Sequence, residues 1–384
     1  MTRFDIAVIG GGMVGAAVAL GFAKQGRSVV LVEGNTPEPF SAEQAMDIRV
    51  SAISHNSVAL LQELGAWNAI EAMRTCPYRR LETWEHPECR TRFDSEALGL
   101  DQLGYIVENR IIQLGLWQQF ERYSNLKVYC SDSLATIHFD DIAKVTLSSG
   151  EQFEALWIVG ADGANSKVRQ VAGIGVTAWD YRQHCMLINV KTALPQQDIT
   201  WQQFTPSGPR SFLPLCGNQA SLVWYDSPKR IKQLCGMSSE QLRSEVLHHF
   251  PAELGDIEVL QFGSFPLTRR HAQTYQKNNC ILVGDSAHTI NPLAGQGVNL
   301  GFKDVSALLS VAEGQDALSQ SLAKRYEMMR KPDNLLMQTG MDLFYKGFSN
   351  DIAPLKVLRN AALKIAENSG PMKEQVLKYA LGLK

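Results

Sequence analysis

Short apolar runs that end in glycine or an acid recur along the chain and organise most of it. Asp5-Ile6-Ala7-Val8-Ile9 is the first, and it passes directly into Gly10-Gly11-Gly12-Met13-Val14-Gly15. A continuous, β-branched run of this length predicts a strand buried on both faces of a parallel sheet. From Val14 to Gln25 small and apolar residues keep helical spacing, Gly26 stands at the C-cap position, and Ser28 to Val32 predicts a second strand ending at Glu33. The unit closes as βαβ.

Beyond a polar, proline-containing loop over 34–44 comes Asp47-Ile48-Arg49-Val50, then a predicted helix from Ser54 to Leu64. Cys76 to Asp94 mixes aromatic and charged residues and breaks the α/β rhythm, which predicts an excursion into another domain. Helical spacing returns between Ile111 and Phe120, and short strands follow with a turn at Asp140-Asp141. Ala155 to Val159 is a second apolar strand, running into Gly160-Ala161-Asp162-Gly163-Ala164-Asn165-Ser166, with Ser166 as a helix N-cap. From Cys185 to Phe265 the pattern becomes β-rich, with runs at 186–190, 200–204, 211–215, 221–225 and 258–265. These predict an antiparallel sheet inserted into the α/β domain, covered on one face by a helix from Ser239 to Phe250. Cys280 to Val283 is a third apolar strand, ending at Gly284-Asp285; Gly295 and Gly297 then precede a long helix reaching Val311.

Composition narrows the class. With 384 residues, 45% of them apolar and 20% charged, the chain can bury a large core without staples. Lys plus Arg number 37 against 39 Asp plus Glu, so no global charge attracts nucleic acid. Seven cysteines with no C-x-x-C pair argue against a disulfide framework or a structural zinc site, and free thiols in a reducing compartment fit them. No run reaches the roughly 18 apolar residues a membrane span needs, and no signal peptide opens the chain. A cytoplasmic location follows, with no metal expected.

Each residue type at the first junction has a use. Gly10 permits the tight turn, Gly12 lets backbone approach a pyrophosphate, and Gly15 lets helix pack on strand. Glu33, eighteen residues beyond Gly15, stands where a carboxylate accepts from adenosine ribose hydroxyls and repels a 2′-phosphate, which favours FAD or NAD over NADP there. Arg49 near the mouth can reach a phosphate or ring edge, with a surface salt bridge as the competing reading. Asp162-Gly163 suits a turn close to a ligand, with a plain capped turn as its competitor. Asp285 at a strand's carboxyl end suits a hydroxylated chain such as ribityl. The aromatic residues Trp201, Phe204, Phe212, Trp224 and Tyr225 are expected to pack within the inserted sheet rather than on a ligand. His184 and His288 are expected to be structural, since no spacing pairs either with a partner.

The order Gly10-x-Gly12-x-x-Gly15, Asp162-Gly163, Gly284-Asp285 resembles the FAD-dependent aromatic-ring hydroxylases typified by p-hydroxybenzoate hydroxylase. Residues 77–85, 160–169, 265–271, 292–300 and 342–348 are similar to their ubiquinone-biosynthesis branch, most closely to its demethoxyubiquinol hydroxylases, although Ser286 and Asn291 stand where such proteins often carry Ala and His. The resemblance implies an α/β, Rossmann-type FAD-binding domain over residues 1–75, 100–180 and 268–340. It also implies a substrate-binding antiparallel-sheet domain over 76–99 and 181–267, and a helical C-terminal segment over 341–384. Gly10, Gly12, Met13, Val14, Gly15, Glu33, Arg49, Asn109, Asp162, Gly163, Gly284 and Asp285 are thereby implied to hold FAD, with Pro292, Gly295, Gln296, Gly297, Val298 and Asn299 around its ring system.

The implied activity is an FAD-dependent NAD(P)H:oxygen monooxygenase that hydroxylates a polyprenylated benzoquinol through a flavin C4a-hydroperoxide. A single G-x-G-x-x-G leaves no second dinucleotide fold, so NADH or NADPH is expected to visit transiently. The flavin-facing loop Pro292, Gly295, Gln296, Gly297 takes the place of an assigned catalytic base. Rival readings are a hydroxylase of small phenols and a non-catalytic flavoprotein that scaffolds a biosynthetic complex. The implied partners are the quinol and O₂ and a homo-oligomer or ubiquinone-biosynthesis complex; the basic C-terminal residues themselves suit a peripheral contact with the inner membrane or a partner subunit. In that region Leu355, Leu358, Ala362 and Ile365 recur at helical spacing, and packing on the protein's own domain is the favoured role for them.

Overall fold

The computed structural model describes residues 1–290 and 297–367, together with 369, 370, 373 and 375. Strand β1 (Thr2–Ile9), helix α1 (Met13–Lys24) and strand β2 (Val29–Glu33) realise the opening unit. Val8, Val30 and Leu31 are wholly buried, as strands covered on both faces require. Next come β3 (Val50–Ser54), α2 (His55–Glu63), α3 (Trp67–Met73), β4 (Cys76–Tyr78), β5 (Arg80–Trp84), β6 (Arg90–Asp94), β7 (Gly104–Glu108) and α4 (Asn109–Trp117). They lead to β8 (Leu126–Cys130), β9 (Leu134–His138), β10 (Ala143–Leu147), β11 (Gln152–Gly160) and α5 (Lys167–Val171). The inserted region holds β12 (Val176–Thr192), β13 (Ile199–Gln203), β14 (Arg210–Pro214), β15 (Gln219–Asp226), α6 (Pro228–Cys235), α7 (Ser239–His249) and β16 (Ile257–Ala272). After it lie β17 (Gln276–Lys277), β18 (Cys280–Leu282), β19 (His288–Thr289), α8 (Gly297–Ala312), α9 (Gln320–Phe348) and α10 (Ala353–Glu367).

The first sheet runs β17-β18-β11-β1-β2-β8, with β10 on β11 and β9 on β10. β18, β11, β1, β2 and β8 are mutually parallel, and α1 packs between α4 and α8 beside them. This is the doubly wound α/β core. The second sheet runs β19-β16-β12-β15-β14-β13-β5-β6 and is antiparallel except where β13 meets β5. Its strands β12 and β16 extend well past the predicted 186–190 and 258–265, because their outer halves carry polar residues that leave no apolar run. Cys76 to Asp94 divides: β4 joins β3 and β7 in a small third sheet, while β5 and β6 extend the second.

One face of the second sheet buries Trp84, Trp201, Phe212 and Trp224 with Ile231, Leu242 and Phe250 from the α6 and α7 region. Of the aromatic residues expected in sheet packing, Trp201, Phe212 and Trp224 sit there, Tyr225 points to the opposite face with Cys185 and Leu267, and Phe204 packs on Phe348 of α9 with ring centres 4.5 Å apart. Helix α7 begins with a reciprocal capping box, Ser238 to the Gln241 N–H and the Gln241 side chain back to the Ser238 N–H.

Helix α10 overturns the favoured reading of its apolar positions. It docks through its polar side, and Leu355, Leu358, Ala362 and Ile365 are exposed. The reason is a buried ion pair: Arg359 grips Glu85, donating at 2.6 Å from Nη2 and 3.2 Å from Nε, which turns the opposite face outward.

Candidate cofactor and substrate site

Three parallel neighbours end side by side. Ile9 pairs with Gly160 and Gly160 with Leu282, so the glycine junctions after β1, β11 and β18 open at one sheet edge. The ladder runs one step further, Ala161 N–H donating to the Ile9 carbonyl at 2.8 Å and Val283 N–H to the Gly160 carbonyl at 3.0 Å. Open α/β sheets receive ligands just outside these carboxyl ends.

At the first junction the backbone has been cleared of side chains. Gly10 sits at φ +102°, and a Cβ there would meet the Ala161 carbonyl oxygen at 2.5 Å. A Cβ on Gly15 would lie 1.8 Å from the Gly10 carbonyl oxygen, whereas one on Gly12 would meet nothing within 4 Å. Gly10 and Gly15 are thus demanded by protein packing; Gly12 keeps space open for something else. No side chain caps α1 and no acid lies in its first turn, so its N-terminal N–H groups and partial positive charge face the opening. Both Glu33 oxygens accept from backbone, Oε2 from Gly11 N–H at 2.6 Å and Oε1 from Asn35 N–H at 3.0 Å. Gln113 and Trp117 of α4 each donate to the Gly11 carbonyl at 2.8 Å and clamp the loop from the other side.

A cleft of about 420 Å³ lies over these groups. Gly10, Gly12, Glu33 and Asp162 line it together, with Asp132, Ser133, Asn165 and Lys167. At the second junction Gly163 has φ +77° and open space at its Cβ position. The Asp162 carboxylate is turned inward to its own helix, accepting from Ser166 Oγ and from the N–H groups of Lys167 at 2.7 Å and Val168 at 3.1 Å. Ser166 caps α5 as predicted, accepting from Arg169 N–H at 2.9 Å. Arg169 is buried and joins the second junction to the third, donating to the Ser286 carbonyl at 2.7 Å and the Ala164 carbonyl at 2.9 Å.

At the third junction Asp285 is exposed to solvent, while the protein packed about its carboxylate removes part of its hydration. That desolvation raises its pKa above the usual carboxylate range, and His288 and Arg49 pull it the other way. Arg49 is exposed, with its guanidinium 5.0 Å from the centre of the Phe265 ring. Val14 packs beneath this corner: a Cβ on Gly284 would meet it at 3.3 Å and one on Gly301 at 2.6 Å. Met13 is half-buried against the main core beside it.

Below lies a network that spacing did not reveal. Asp304 on α8 is fully buried and accepts from His288 Nε2 at 2.5 Å, Arg330 Nε at 2.8 Å, Gly284 N–H at 3.0 Å and Asn334 Nδ2 at 3.1 Å. Burial alone would raise its pKa; His288 and Arg330 outweigh that and bring it down to about 2. His288 thus has a buried partner in Asp304, sixteen residues on, which spacing did not pair with it. The trace Asp304 leaves in the sequence is an acid among Leu300, Val305 and Leu308 of the predicted helix.

Two further positions are held mainly by protein. Asn299 accepts from Ser54 N–H at 2.9 Å and Ser57 Oγ at 2.8 Å and donates to the Ala52 carbonyl at 2.8 Å. Asn109 opens α4, accepts from Ser51 Oγ at 2.7 Å and donates its N–H to the Arg49 carbonyl at 3.1 Å. Gly297 and Val298 begin α8. Pro292, Gly295 and Gln296 lie outside the described residues.

The sheet face turned away from α6 and α7 offers Leu187, Val223 and Phe265 beside buried Cys185 and Tyr225, and Met341 and Tyr345 of α9 close against it. Tyr181 and Arg269 both bind the Asp342 carboxylate and so tie α9 to this face. Burial holds the Tyr225 phenol well above its usual pKa and keeps it protonated.

A family model described as an FAD binding domain matches residues 3–333. The chain is 53% identical to the 3-demethoxyubiquinol 3-hydroxylase of Escherichia coli, across 99% of this chain and 98% of that one. It is 32% identical to the human mitochondrial ubiquinone biosynthesis monooxygenase COQ6, across 99% and 92%. Among solved structures, p-nitrophenol 4-monooxygenase PnpA of Pseudomonas putida superposes with a TM-score of 0.80 at 18% identity, covering 99% of this chain and 97% of that one, and shares the fold. The chain belongs to the FAD-binding-domain family of monooxygenases, among the ubiquinone hydroxylases.

Proposed function

We propose that this FAD-dependent monooxygenase hydroxylates the ring of a polyprenylated benzoquinol of the demethoxyubiquinol type, with NAD(P)H as reductant and O₂ as oxidant. The observation that carries the reading is the meeting of three glycine junctions at one sheet edge, in a chain so similar to a demethoxyubiquinol hydroxylase. Bound FAD would supply the redox chemistry, taking hydride from NAD(P)H and activating O₂ for hydroxyl transfer to the ring.

The residues present fit that group. Gly12 and Gly163 leave the space a Cβ would fill, and the bare start of α1 favours a pyrophosphate. Glu33 keeps lone pairs for ribose hydroxyls beyond the two backbone bonds it accepts. Asp285 would accept from ribityl hydroxyls, Asn109 and Arg49 would donate at the mouth, and Asp162 would act through the loop it shapes. The start of α8, from Gly297 to Asn299, would present N–H groups to the ring system, after Pro292, Gly295 and Gln296.

What remains for the protein is to position the quinol and keep water out. Leu187, Val223 and Phe265 form an apolar wall for a substituted ring, with Met341 and Tyr345 shutting its far side. No side chain is assigned as a base, since His288 is committed to Asp304. A lipid-soluble substrate also asks for a route from a bilayer, which bears on the C-terminal helix.

Stopped-flow reduction of the purified yellow protein tests the reading. A short-chain demethoxyubiquinol should accelerate NAD(P)H oxidation and gain one oxygen from labelled O₂. Faster oxidation with a simple phenol would make it a phenol hydroxylase; no reduction with either, a scaffold.

A further inference from the structure

The face of α10 that meets solvent is the apolar one. Between Ala353 and Glu367, Leu355, Val357, Leu358 and Ile365 are 42%, 70%, 65% and 69% exposed, and Ala361 and Ala362 lie on the same side. At 100° per residue these positions share one arc of the helix, and no acidic side chain of α10 falls within it. The polar side is spent on β5 and β6: Arg359 and Asn360 hold Glu85, the Leu363 carbonyl accepts from Thr91 at 3.0 Å, and Glu367 accepts from Arg92 N–H at 2.7 Å. Such an arrangement is the reverse of a helix that stabilises its own domain. A contiguous exposed apolar arc of this kind marks an interaction surface.

We propose that α10 lies in the plane of an anionic lipid surface, seating Leu355, Val357, Leu358 and Ile365 in the headgroup boundary. Charge selects this occupant over a second copy of the chain. Beyond Asn350, with Arg359 spent on Glu85, the sequence carries Lys356, Lys364, Lys373, Lys378 and Lys384 against Asp351, Glu367 and Glu374. Two such segments repel when brought face to face, whereas anionic headgroups attract them. Continuity with the site supports the same choice. On the last turns of α9, Met341 and Tyr345 pack at the apolar wall while Leu343 between them is 68% exposed, and α10 follows four residues after α9 ends. The proposal deepens the reading above by giving a lipid quinol a dry approach, yet the surface is argued and tested without any quinol.

The test is flotation of the full-length, FAD-loaded protein with phosphatidylethanolamine vesicles containing phosphatidylglycerol, against pure phosphatidylcholine vesicles. The protein should float with the anionic vesicles and be released by added salt. The double variant Leu358→Glu with Ile365→Glu should lose roughly tenfold in partitioning, while its flavin absorbance and melting temperature stay at wild-type values. No flotation of the wild type on anionic vesicles, or equal flotation of the double variant, overturns the proposal. So does a dimer in gel filtration that the double variant splits without changing flotation, which assigns the face to a second copy. A failed hydroxylation assay leaves the flotation result standing, so the two readings fail separately.

Discussion

The first and third glycine junctions end strands that flank β11 in one sheet, yet they are assembled in opposite ways. At the first, the turn, the helix start and Glu33 all belong to one βαβ unit, and backbone groups make most of the bonds. At the third, Gly284 donates to Asp304, which is held in turn by His288 from β19 and by Arg330 and Asn334 from α9. A site made of backbone can be encoded locally. A buried carboxylate must be met by cations and amides brought from afar, because an unpaired charge in the interior is untenable.

Breaking the third junction should therefore have the larger effect on stability. Asp304→Asn strands Arg330 and His288 in the interior and should lower unfolding free energy by about 3–5 kcal/mol, read from urea midpoints at constant slope. Next come the glycines of the first junction, which separate packing from ligand space. Gly15→Ala forces a Cβ against the Gly10 carbonyl and should destabilise the protein by about 3 kcal/mol, whereas Gly12→Ala should leave stability within about 0.5 kcal/mol of wild type. Both should lose FAD, measured by the flavin absorbance of the purified protein; retention by Gly12→Ala would mean that its open space serves no cofactor.

His271, buried on β16 and bonded to Gln338 of α9 at 2.8 Å, makes a prediction in pH. Desolvation lowers the His271 pKa from the ordinary 6.5 to about 4, with Gln338 opposing and His288, Lys331 and Arg269 assisting. The folded protein thus prefers neutral His271, so this stability is complete above pH 6.5 and drains away as pH falls toward 4. Over that window the wild type should lose about 2 kcal/mol more than His271→Gln, as followed by thermal melts. The smallest effect belongs to Glu33→Gln, which keeps the shape but loses the charge that strengthens the bond from Gly11 N–H. FAD affinity should fall about tenfold by fluorescence titration, with little change in melting temperature.

Much of the scaffold was legible along the chain because its cues are local. The apolar run Ile6 to Ile9, the glycines after it, the Ser166 cap and the α7 helix were all read where they stand. The clamp of Gln113 and Trp117 on the Gly11 carbonyl was not legible, since a side-chain donor some hundred residues away leaves no periodic mark. Asp132, Ser133 and Lys167 entered the cleft only because β8 and β11 flank the β1–β2 pair. Helix α10 misled for a related reason: amphipathic spacing tells that a helix has two faces, not which of them its domain takes.

What the order of residues determined by itself is the α/β class, the βαβ unit with its acid at the second strand's end, and the inserted antiparallel sheet, because period, turn chemistry and caps act over a few residues. Tertiary structure alone decided that three distant junctions share one edge, that Asp304 anchors the last of them, and that α10 turns its apolar side to solvent. Those outcomes rest on strand order and on ion pairs between residues far apart in sequence, and such pairings are chosen by the folded energy of the whole chain rather than by any segment of it.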